Sequence, residues 1–186
     1  MEKAPIARFG WFAAIAAALL LCTTALVAQT GGRRTAPAAR PAASAGTPAT
    51  VLQVMRGILY PASNVVFAAQ SDDPDKVKKA ADPSLATDPL ASTYGGWEAV
   101  ANASVALKES TRLLVVPRSC SNGKPAPIQA ATWQKGLDLL RQAGDAAYKA
   151  AQAKNQDQIL DAADKMTTAC STCHEPYREK TPRCTP

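Results

Sequence analysis

Histidine is nearly absent from this chain: one residue, His174, among 186. A nucleophile needs a base beside it, and the only imidazole lies next to a cysteine with other uses. No catalytic constellation is therefore available, and an enzyme is not expected. Aromatic residues make up 5% of the chain. No basic helix interleaves them with Lys and Arg, which excludes a nucleic-acid interface. Runs of alternating apolar and polar residues are missing too, which leaves no strands from which to build a sheet.

What is present is Cys170-Ser171-Thr172-Cys173-His174, a C-x-x-C-H run with the attachment spacing of a c-type haem. Two thiols add to the porphyrin vinyl groups, and the adjacent imidazole binds the iron as an axial ligand. On a helix, positions i, i+3 and i+4 share one face, so Cys170, Cys173 and His174 can meet one haem together. Two other readings use the same residues. A C-x-x-C pair serves thioredoxin-like redox sites, but these expect a βαβ setting. It also serves as half of a zinc site, with Cys120, Cys184 and His174 as further ligands. An export signal upstream favours haem, because haem is attached to such motifs outside the bacterial cytoplasm.

That signal is the stretch 1–28. Lys3 and Arg8 form a short basic start, 9–28 is uncharged and apolar, and Leu26-Val27-Ala28 offers a small-residue cleavage site. The apolar stretch is also long enough to span a bilayer, so cleavage and retention as an N-terminal membrane anchor both stay open. Cys22 reads as filler in it. Residues 29–47 are rich in Ala, Pro, Gly, Thr and Arg without apolar periodicity, as in a linker. Residues 48–186 are enough for one domain with one core. Three cations of the net +6, Arg33, Arg34 and Arg40, fall in the linker. The positive balance reads as solvated charge, with docking of an acidic redox partner as the alternative.

Helical periodicity occurs four times. A first helix is predicted from about Ala49 to Gln70, with Met55, Ile58, Ala62, Val65 and Ala69 on one stripe and a distortion where Pro61 frees the carbonyl of Gly57. An Asp-Pro-rich loop follows, with a helical turn expected at Asp75 to Ala81. A second helix is predicted from about Pro89 to Val116, carrying Trp97, Val100, Ala103, Leu107 and Leu114. A third, from about Ile128 to Ala153, carries Trp133, Leu137, Leu140, Gly144, Ala147 and Ala151. The fourth, from near Asn155 to near Lys180, carries Ile159, Ala163, Met166, Cys170, Cys173 and Tyr177, so the haem motif continues its apolar face. Four helices and no strands predict an all-α fold, an antiparallel up-down-up-down four-helix bundle with its cofactor between facing helices.

In that topology the start of the first helix and the ends of the second and fourth share one end of the bundle. Cys120 and Cys184 both belong there. A disulfide between them would contribute about 4 kcal/mol through the unfolded chain; two separate thiols are the alternative. A sixth iron ligand must face His174, and no second histidine exists. Met166 lies two turns before His174 on the same helix, about 12 Å along its axis, and reads as core. Met55 lies at the level of the motif. It either ligates the iron or packs beside an open iron site.

Together these features resemble the cytochrome c′ superfamily, the class II c-type cytochromes. The resemblance rests on CSTCHEPYREK from Cys170 to Lys180, where the family shows C-x-x-C-H-x-x-Y/F-R, and on Val54-Met55-Arg56, where it often has V-M-K. It implies a periplasmic four-helix bundle with one covalently attached haem c near the carboxyl end. It makes Met55 the distal position: methionine there gives a six-coordinate electron carrier, and an apolar residue gives a five-coordinate protein that binds gases such as NO and CO. It places Tyr177 in the haem environment. It also places Arg178 near the proximal pocket, beside His174 or an acid group of the haem; a helix-end cation in solvent is the other reading. Pro61, the Asp-Pro loop and the extra cysteine pair depart from the family, and so does Val51, which stands where the family commonly has an arginine in contact with an acid group of the haem.

The expected function is single-electron transport in the periplasm through haem c with His174 and Met55 as axial ligands, and the alternative is diatomic-gas binding. Redox partner proteins are expected. A homodimer through the first two helices, with Trp97 or Tyr94 contributing, is open alongside a monomer. Membrane association is expected only if the N-terminal segment is retained.

Overall fold

The computed structural model describes residues 49–178. The expected signal, linker, Cys22 and Cys184 lie outside them. The described chain is all-α, with four principal helices and no strand; Ser119 and Pro125 form an isolated bridge. Helix α1 runs over Val51–Ser71, α2 over Trp97–Ser110, α3 over Ala131–Ala153 and α4 over Gln156–Tyr177. Contacts link α1 to α2 and α4, α2 to α3, and α3 to α4.

Helix α1 opens on a reciprocal cap. The Thr50 hydroxyl accepts from the Gln53 amide at 3.2 Å, and the Gln53 side-chain carbonyl accepts from the Thr50 amide at 2.8 Å. The Val51 amide donates to Ser119 O and the Arg118 guanidinium to Ala49 O, which fastens this end to the loop after α2.

Within α1, Met55–Leu59 form a π-turn, closed by the Tyr60 amide donating to Met55 O five residues back. The cause is Pro61. It has no amide hydrogen for Gly57 O, and its ring crowds that carbonyl; widening the preceding turn relieves the crowding. The extra residue shifts the phase of the helix. Leu59, rather than the expected Ile58, packs against the core, while Ala62, Val65 and Ala69 stay buried.

The loop after α1 differs from expectation. Asp75 to Ala81 form no helix beyond a turn at 74–76. The helical turns lie instead at Pro83–Leu85 and Pro89–Ala91, where Asp82 and Asp88 carboxylates accept from the Ser84 and Leu90 amides. Asp-Pro supplies a cap and a first residue that needs no donor. Helix α2 begins at Trp97, not Pro89, because Gly96 takes φ +60 and breaks the path. It tightens into a 3₁₀ turn at Thr111–Leu114.

Small residues set the spacing on α3. At Gly144 a Cβ would lie 3.1 Å from Lys108 Cβ and Ser104 O, so α2 approaches closely there. Lys154 at φ 49 ends α3, and the Asn155 side chain accepts from the Gln158 amide to start α4. Ile159, Ala163 and Met166 are fully buried, in keeping with Met166 as a core residue. Trp97 is buried in the same core, and Tyr94 is exposed.

The phase shift in α1 is testable by urea unfolding. Leu59→Ala is expected to cost about 1–3 kcal/mol and Ile58→Ala under about 1 kcal/mol. An undisturbed α-helix would give the opposite order.

Candidate functional site

The last turns of α4 carry Cys170, Cys173 and His174 on the face that continues the core. Ser171 and Thr172 bind back onto their own helix, their hydroxyls donating to Thr168 O at 3.1 and 2.8 Å. Neither lines the cavity that the cysteines and histidine face.

That cavity has a volume of about 430 Å³. From α4 it receives Cys170, Cys173, His174 and Tyr177, with Arg178 just past the helix end; from α1 it receives Met55; and Cys120 reaches it from the loop after α2. Every expected site residue among the described ones thus meets in one place. Its floor is braced by Trp133, whose indole donates to Leu114 O at 3.0 Å and whose ring meets Tyr177 edge to face at 5.3 Å between centroids.

The wall from α1 has its own geometry. Val51, Met55, Leu59 and Ser63 form one row and Leu52, Arg56 and Tyr60 the next, each stepping by four residues. A regular α-helix turns about 100° per residue, so twelve residues would end about 120° out of line. The π-turn holds one extra residue and absorbs most of that drift. The rows therefore stay against the cavity.

Sequence reasoning gave no place at the site to Arg56, Tyr60 or Gly136, which line the cavity. A Cβ at Gly136 would overlap the Cys173 sulfur. The bare backbone of α3 leaves room for that sulfur, and the available signal was a glycine three residues after Trp133.

Electrostatically the thiols are held neutral. Burial raises the Cys170 thiol above its ordinary value, and burial followed by the neighbouring Cys170 pushes Cys173 up to about 11. Such surroundings favour the uncharged thiol over the thiolate. Among the described residues no three His, Cys, Asp or Glu side chains gather as a metal site. Cys120 is 1% exposed and disulfide-bonded, so it is not a free zinc ligand; its expected partner, Cys184, lies outside the described residues.

Arg178 Nη1 lies 3.2 Å from His174 Nδ1. A guanidinium only donates, so this contact makes Nδ1 the acceptor and leaves the ring proton on Nε2. Ligation through Nε2 requires the other tautomer and releases Arg178 from the ring.

A porphyrin bound through thioethers needs an apolar cleft, two uncharged sulfurs on one helical face, and an imidazole one residue on. The residues around this cavity fit that group. Comparison with protein families, curated proteins and solved structures gives no match.

Two measurements check this geometry. Gly136→Ala is expected to lower stability by roughly 1–3 kcal/mol through overpacking against Cys173; an unchanged urea midpoint would contradict the contact. In haem-free protein at pH 8, Cys173 is expected to alkylate roughly 100-fold more slowly than a thiol at the ordinary value, speeding up as pH rises toward 11. Rapid alkylation at pH 8 would contradict the burial.

Proposed function

We propose that the protein is a periplasmic c-type cytochrome that carries single electrons through one haem attached at Cys170 and Cys173, and that its helices form an antiparallel up-down-up-down bundle resembling the cytochrome c′ superfamily. The observation that carries this reading is the meeting of the C-x-x-C-H residues and Met55 at one apolar cavity. Bound there, the haem supplies an iron centre that alternates between two oxidation states.

The chain's own residues supply the rest. Cys170 and Cys173 tie the group to a single helix, so its position is set by the packing of α4. His174 would offer Nε2 from the same helix once its ring proton moves to Nδ1. Met55 offers an uncharged thioether from α1, and methionine ligation raises the reduction potential relative to a harder donor. Leu59, Leu107, Leu137 and Leu140 give the cleft apolar walls. A Cys120–Cys184 disulfide would hold the chain end beyond α4 against the loop after α2. Segment 1–28 would export the chain or anchor it, and 29–47 would act as tether. Electron exchange calls for redox partner proteins.

A second reading, binding of NO or CO at a five-coordinate iron, draws on the half-exposed position of Met55 within the π-turn. A thioether there is easier to displace than one locked in a regular, fully buried helix.

The absorption spectrum of the reduced, haem-loaded protein separates the two. A low-spin spectrum that carbon monoxide does not change on mixing is expected, with immediate binding appearing in Met55→Ala. Immediate binding to the parent protein would refute Met55 as a ligand and favour the gas-binding reading.

A further inference from the structure

Helix α1 carries a single charged side chain over its whole length, Arg56. The guanidinium is exposed and makes no hydrogen bond or ion pair with any described residue, yet it lines an apolar cavity. No carboxylate lines that cavity among the described residues. Arg56 sits there because of the π-turn. It is the middle member of the row Leu52, Arg56, Tyr60, and stepping by four keeps this row on the rim while Met55 and Leu59 face inward. Pro61 thus places a cation at the edge of an apolar cleft and leaves it unneutralised.

A cleft with apolar walls and an unpaired guanidinium at its rim selects an amphipathic occupant, apolar in its body and acidic at one edge. A porphyrin with carboxylate arms has that character. We propose that Arg56 anchors a carboxylate of the occupant and so sets its orientation in the cleft. The proposal rests on the haem reading above. It makes Arg56 a binding residue that the C-x-x-C-H pattern does not reveal, and it gives the proline a purpose beyond local distortion.

The test uses the full chain with Cys170→Ala and Cys173→Ala, so that binding is reversible. Ferric haem and haem dimethyl ester, whose acid groups are masked, are titrated by absorbance. Arg56→Ala and Arg56→Met, the second keeping an unbranched apolar stem, are expected to weaken haem binding about tenfold and to leave ester binding unchanged. Lys124→Ala removes an equal charge at an exposed position on the same loop as Cys120 and is expected to alter neither. Equal losses for haem and ester, no loss for haem, or the same loss in Lys124→Ala would each overturn the role of Arg56. If neither haem nor ester binds the parent chain while its helix content by circular dichroism is intact, the haem reading fails and the proposal with it.

Discussion

One helical face has to serve two masters at the end of α4. Ile159, Ala163 and Met166 bury it completely in the core, and a few residues on, the same face has to present two sulfurs and an imidazole. A face continuous with the core cannot present them to open solvent, so the neighbouring helices must leave space. Helix α3 does so by offering bare backbone at Gly136 beside Cys173. Trp133 and Tyr177 close the floor, each held by a defined contact. The cavity follows from the α4 pattern together with these concessions.

Helix α1 makes the third concession, and it begins with a missing hydrogen. Pro61 cannot donate to Gly57 O, the turn before it widens, and the wall residues fall into rows of step four rather than drifting around the helix. A distortion that costs one regular hydrogen bond thereby aligns Met55, Leu59 and Ser63 along the cleft. Buried apolar contacts of Val65, Val66 and Ala69 hold the remainder of the helix in place, so the irregularity stays local. Local backbone chemistry, packing and the shape of the site form one causal chain here.

Much of this was legible in the residue pattern. The four apolar stripes locate the four helices, because burial of one helical face repeats every three or four residues. The cysteine–histidine spacing marks the site, and Met55 could be singled out because so few residues can ligate iron. Phase and path were not legible. Periodicity assumes a constant turn angle, so it selects Ile58 where the π-turn brings in Leu59. It also carries α2 back to Pro89, past the positive φ of Gly96. The rim position of Arg56 was not legible for the same reason: it depends on a turn that Pro61 widens, and the stripe alone does not encode that. Gly136 was hidden because a glycine's use lies in what another helix brings to it.

The account turns on covalent porphyrin at the end of α4. The most direct measurement is mass spectrometry of the full chain matured with haem-attachment machinery, digested and read at the peptide containing Cys170 to His174. The account predicts that this peptide carries one porphyrin on both cysteines. Recovery of the peptide with two free, alkylatable thiols would contradict it.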